Sequence, residues 1–113
     1  MSEQETFDWR GLSNEELEPH FNPRIAVPDA MDWLARFTSR SAAIRENLAG
    51  DYDRRYGDGE KCVYDFHPAD GPGDGGKAPL VIFIHGGYWR LMDKSDHSFV
   101  VPPLTARGFS SSI

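Results

Sequence analysis

The chain has 113 residues, 18 of them acidic and 12 basic, for a net charge of −6; with an isoelectric point near 5.1 this argues against nucleic-acid binding, where phosphates must be neutralised in number. Leu, Ile, Val and Phe make up 24 of the 113 residues, just above the level of about one fifth below which disorder becomes the default, so one small domain with a thin core is expected. A single cysteine, Cys62, excludes an internal disulfide, the polar start of the chain is unlike a secretory signal, and no apolar run reaches membrane-spanning length, so the expectation is a cytoplasmic chain with no membrane partner.

Residues 1–12 show no periodic pattern and read as a flexible arm, with Phe7 and Trp9 as possible tethers; residues 13–113 read as the folded domain. Ser13 followed by Glu16 has the spacing of a capping box, which predicts a short helix over residues 14–18 that Pro19 and Pro23 stop. Residues 21–24, around Asn22-Pro23, should be extended, because residues before proline avoid the helical region. Asp29 as N-cap, Asp32 in the first turn and Gly50 as the stop predict a longer helix. Leu34, Phe37, Ile44 and Leu48 form its apolar stripe, and Ser41 is the gap in it.

Residues 51–56, a Gly57-Asp58-Gly59 turn and residues 61–67 predict a β-hairpin with Cys62, Tyr64 and Phe66 alternating onto one face. Cys62 then reads as a small packed residue, since its place in a predicted strand, with Lys61 as the one basic neighbour in sequence, does not display the setting that activates a catalytic thiol. The glycine-rich stretch 68–77 is a surface loop without phosphate-binding spacing. Leu80 to Ile84 carry no polar side chain, which predicts a central strand buried on both faces, as in a parallel sheet covered by helices. That strand runs straight into His85, Gly86, Gly87, Tyr88 and Trp89, and the carboxyl end of a buried strand is where open α/β proteins build their sites. Beyond it, Ser95 could cap a short turn reaching about Val101, with Phe99, Val100 and Leu104 on the sheet side. A second short helix should start at Pro102-Pro103 and end at Gly108. Residues 109–113 contain three serines and predict almost no strand.

The run His85-Gly86-Gly87-Tyr88-Trp89 resembles the HGGxW motif of the kynurenine formamidase (arylformamidase) and related esterase group of α/β-hydrolases. Asn22-Pro23-Arg24 with Val27-Pro28-Asp29 is similar to that family's N-terminal signature, and Asp93-Lys94 with Ser98-Phe99 is similar to the segment leading into its first crossover helix. The resemblance runs from about Leu12 to Gly108 and implies the N-terminal part of an α/β-hydrolase fold: N-terminal helices, a β-hairpin, the central strand and the start of a crossover helix, with the sheet incomplete. It implies that Gly86 and Gly87 contribute oxyanion-hole N–H groups, as the HGGG-type loop does in esterases. No Gly-x-Ser-x-Gly elbow occurs in the sequence, and no histidine follows one, so none of the Ser-Asp-His triad is expected in these residues. The expectation is therefore a fragment, inactive alone, of a hydrolase acting on an aryl formamide such as N-formylkynurenine or on a carboxylic ester, without a cofactor.

The alternative is a non-catalytic module binding a small molecule or a partner through the Gly86-Gly87 loop. A Gly-Gly pair by itself would be a plain strand-to-loop turn; its place after an apolar strand and inside HGGYW favours a functional loop. His85 reads as a structural histidine fixing the loop by a hydrogen bond rather than as a general base. Tyr88 and Trp89 either line an aromatic substrate pocket or seal the core edge. His20, His67, His85 and His97 lack metal-ligand spacing, so no metal site is expected.

Overall fold

The computed structural model describes residues 8–71 and 77–113 and divides after Leu34 into two units. The expected arm lies outside the described residues up to Phe7; within it, Trp9–Gly11 form a 3-10 turn whose Arg10 N–H donates to the Asp8 carboxylate at 3.1 Å.

In the first unit, helix α1 spans Asn14–Phe21 and opens with the expected capping box. The Glu16 N–H donates to Ser13 Oγ at 3.3 Å, and the Ser13 N–H donates to Glu16 Oε2 at 2.8 Å. The helix does not stop at Pro19 but passes through it. Pro19 withholds one N–H from a solvent-exposed helix, and the Asn22 N–H restores the ladder by donating to the Glu18 carbonyl at 2.9 Å. The stretch expected to be extended is likewise mostly helical. Only Asn22 is extended, as cap of a short helix α2, Pro23–Ala26, with Pro23 in its first turn, where the missing N–H costs nothing.

Helix α3, Ala30–Arg45, begins where Asp29 predicted and ends well before Gly50. The carbonyls beyond it turn to side chains instead of continuing the ladder: Tyr52 Oη donates to the Leu48 carbonyl at 2.7 Å, and His67 Nδ1 donates to the Ala49 carbonyl at 2.8 Å. Gly50 is required for another reason. A Cβ there would lie 2.6 Å from the Phe66 carbonyl oxygen and against the His67 ring. Along the helix Leu34, Phe37 and Ile44 are half-buried, and the gap residue Ser41 is the one fully buried.

The second unit is built on a four-stranded sheet in the order β1-β2-β4-β3. Strands β1 (Asp51–Arg55) and β2 (Val63–His67) form the expected antiparallel hairpin, with a bulge between Asp51 and Arg54 that puts Asp53 in the left-handed region at φ 56°. Its inward face is the opposite of the expected one. Asp65 and His67 are fully buried, whereas Tyr64 and Phe66 are half-exposed.

The largest departure concerns the two parallel strands. β3 (Leu80–Ile82) is at the sheet edge, and Leu80, Ile82 and Ile84 are 53%, 66% and 86% exposed, so the run is not buried on both faces. The inner position belongs to β4 (Ser110–Ser112), the segment with least apparent strand character, which pairs parallel with β3 and antiparallel with β2. Serine side chains supply little propensity. The backbone supplies the strand instead, because it is paired on both edges.

Between β3 and β4 the chain passes through a 3-10 segment, Lys94–Val100, and helix α4, Val101–Thr105, which has a proline in its first turn as expected. Asp93 rather than Ser95 leads into the 3-10 segment, with the Asp93 N–H donating to Asp96 Oδ2 at 2.9 Å. Gly108, at φ +85°, ends the turn after α4. Val101 and Ile113 are the buried apolar residues among those described; the remaining buried positions are polar, so hydrogen bonds carry much of this interior.

Candidate functional site

The carboxyl end of β3 leads directly into the loop that carries His85, Gly86, Gly87, Tyr88 and Trp89, which the structure keeps together as expected. The loop is conformationally costly. Gly87 lies at φ +123°, and Tyr88, Trp89 and Met92 are left-handed at φ 53°, 57° and 70°. Left-handed geometry costs a non-glycine residue on the order of 1 kcal/mol, so the loop persists only because its surroundings hold it.

Two carbonyls do the holding. The Arg90 and Leu91 N–H groups both donate to the Gly87 carbonyl, at 3.0 and 3.1 Å. His85 Nδ1 meets the Gly86 carbonyl at 2.7 Å; a carbonyl only accepts, so Nδ1 carries the proton. In a trans peptide C=O and N–H point in opposite directions. Fixing those two carbonyls therefore turns the Gly87 and Tyr88 N–H groups away from them. Among the described residues, the N–H groups of Gly86, Gly87 and Tyr88 donate to no protein acceptor.

The two glycines are not equivalent. A Cβ on Gly86 would meet nothing within 4 Å, whereas one on Gly87 would collide with the Leu91 carbonyl oxygen. His85 makes a hydrogen bond within the loop, to the Gly86 carbonyl. Trp89 and Tyr88, 97% and 79% exposed, do not seal the core edge; Trp89 stands at an open cleft of about 850 Å³ whose walls include Tyr64, Leu80, Ile82, His85 and Ile113.

Behind the cleft lies a feature that sequence reasoning missed. Asp65, fully buried, accepts from Arg45 Nη1 at 2.9 Å through Oδ2, and from Lys94 Nζ at 2.7 Å and the Asp53 N–H at 2.9 Å through Oδ1. Lys94 also reaches Asp53 at 2.7 Å, and Arg45 donates to Ser98 Oγ at 3.1 Å. Burial alone would push the Asp65 carboxyl up, but the bonds from Lys94, the Asp53 N–H and Arg45 outweigh it and hold it below its ordinary value. Burial likewise disfavours the Lys94 ammonium, and Asp53 and Asp65 reverse that, raising it above its ordinary value. The cluster ties α3, the hairpin and the 3-10 segment together and so fixes the base of the loop. Its bonded partners are 12 to 53 residues apart in sequence, a separation that no local motif reveals. Ser41 reinforces the same junction, its Oγ accepting from the Phe99 N–H at 3.2 Å.

Among the described residues, no helix is long and apolar enough to cross a membrane. No protein-family model matches the chain. Kynurenine formamidases are similar to it: that of Danio rerio is 31% identical over 111 residues, with 89% of this chain and 36% of the relative covered. That of Drosophila melanogaster is 31% identical over 91 residues, with 80% and 29% covered, and that of Salmo salar 30% over 110 residues, with 88% and 35% covered. A crystal structure described as a candidate thioesterase from a Silicibacter species superposes with a TM-score of 0.75 at 24% identity, over 86% of this chain and 36% of that one. The chain thus has a mixed α/β fold shared with part of that solved structure, and it spans about a third of the length of the curated formamidases to which it is similar.

Proposed function

We propose that this chain provides the oxyanion-binding loop of an α/β-hydrolase of the kynurenine formamidase type, acting on an aryl formamide such as N-formylkynurenine or on a carboxylic ester. The observation that carries the reading is the set of backbone N–H groups at Gly86, Gly87 and Tyr88 that donate to no acceptor among the described residues, on a loop held against its own conformational preference whose His85 and Trp89 line an open cleft. The similarity to formamidases over most of the chain supports the same reading.

In the proposed reaction a serine oxygen attacks the formyl or ester carbonyl, a histidine takes its proton, and the carbonyl oxygen becomes an anion. The N–H groups of Gly86 and Gly87 receive that charge. Donors fixed before the reaction need no reorganisation when charge develops, and one such donor is worth about 3 to 4 kcal/mol in a complete site. The attacking serine and its base are outside this sequence, which has no Gly-x-Ser-x-Gly elbow. Trp89 and the apolar wall of Leu80 and Ile82 would receive the aryl or acyl group.

The test is a loop graft. Residues 85–92 of this chain, placed into the Danio rerio formamidase at the matching positions, should leave kcat on N-formylkynurenine within about tenfold of the parent. A folded graft with no turnover would contradict the proposal.

A further inference from the structure

The His85 ring does not stand alone. It lies flat on the His97 ring, with centroids 5.2 Å apart and planes 12° from parallel. His97 is a fixed support. It is buried, its Nδ1 meets the Asp93 carbonyl at 3.1 Å, and the rings of Phe83, Phe99 and Phe37 surround it at 5.7, 6.2 and 6.3 Å. His85, by contrast, sits at a strand end beside an open cleft, and its one hydrogen bond reaches only to the next residue's carbonyl. A ring free to rotate about its χ angles would lose that bond to water.

We infer that His97 is a positioning residue for the loop: by stacking on His85 it holds the His85 Nδ1–H on the Gly86 carbonyl and thereby sets the direction in which the Gly87 N–H points. The chain of contacts has no slack. The buried ring fixes the plane of the second ring, the second ring fixes one carbonyl, and the rigid trans peptide transmits that orientation to the N–H on its other end. At Gly87 the chain then enters φ +123°, and two left-handed residues follow. Such a sequence of unfavourable conformers requires an external constraint, and the imidazole stack supplies it at the loop's first residue. His97 touches no substrate in this scheme; it acts through His85.

The inference rests on the oxyanion reading for its purpose but not for its test. Nitrogen-15 NMR of the 113-residue chain, which needs no turnover, reads the tautomer of His85 and the amide resonances of Gly86 and Gly87. In the unaltered chain His85 should be in the Nδ1–H form. His97→Phe, which keeps a flat ring in place, should retain that form and leave the two glycine amides near their original positions. His97→Leu, which fills the space without a flat face, should shift His85 toward the Nε2–H form common in water and displace both amide resonances. Identical His85 tautomers and glycine amides in the Phe and Leu variants would overturn the inference, as would an Nε2–H tautomer in the unaltered chain. A loss of turnover in the loop graft with the tautomer pattern as described would instead count against the hydrolase reading alone.

Discussion

At the scale of single residues, Asp65 is where Arg45, Lys94 and the Asp53 N–H converge. It is fully buried and holds two cations and a backbone N–H, so Asp65→Ala leaves Arg45 and Lys94 partly buried without their shared partner. Breaking a buried pair from one side costs about 3 kcal/mol or more, and urea unfolding should show a loss of that size. The pH dependence follows from the same contacts. The folded Asp65 carboxyl is held below its unfolded value, so its contribution is complete above about pH 5 and disappears as pH falls through the folded value. The folded Lys94 ammonium is held above its unfolded value, so its contribution is complete below about pH 10 and disappears as pH rises further. Unfolding free energy measured between pH 3 and 6 should therefore climb with pH in the natural chain and climb less steeply in Asp65→Asn. The capping pair Ser13 and Glu16 was legible in the sequence because both partners sit within one turn of helix. Asp65 was not, because its partners converge from three separate elements.

At the scale of elements, the two parallel strands exchange the roles that their composition suggests. Leu80, Ile82 and Ile84 look like the centre of a sheet, yet Leu80 and Ile82 stand exposed on its edge strand and Ile84 stands exposed just beyond it, while Ser110–Ser112 look like a loop and lie inside. Hydrophobic pattern reports what a strand can bury, and only pairing decides where the strand lies. Replacing Ile82 and Ile84 together by lysine should cost less than about 1 kcal/mol, as surface substitutions do, and should reduce binding of a hydrophobic dye to the native chain. A loss of several kcal/mol would mean that this face is covered in solution. Ser41 gives the converse case. It looks like a defect in the α3 stripe, yet Ser41→Ala would leave the Phe99 N–H without that acceptor in a part-buried junction and should cost about 1 to 3 kcal/mol by chemical denaturation. The helix start at Asp29, the hairpin, the proline-led α4 and the Gly108 stop were all legible, because each is written in residues that act locally.

At the scale of the whole molecule, the residues most visible in the sequence and the residues that hold them in place are different sets. His85, Gly86, Gly87, Tyr88 and Trp89 stand out as a motif. Their geometry depends on His97 stacking from one side and on the Asp65 cluster anchoring the segment that follows. A polar junction thus supports a loop whose His85 and Trp89 line an open cleft and whose Gly86, Gly87 and Tyr88 N–H groups donate to no acceptor among the described residues. In the proposed function the donor direction at Gly87, rather than the mere presence of two glycines, makes the loop useful. Steady-state kinetics of Gly86→Ala and Gly87→Ala in the grafted formamidase tests it most directly. Gly86 has room for a methyl group and Gly87 does not, so Gly86→Ala should keep kcat within about threefold, whereas Gly87→Ala should lower kcat about 10²- to 10³-fold with little change in KM. Equal and small effects at both positions would show that the donor direction at Gly87 does not matter.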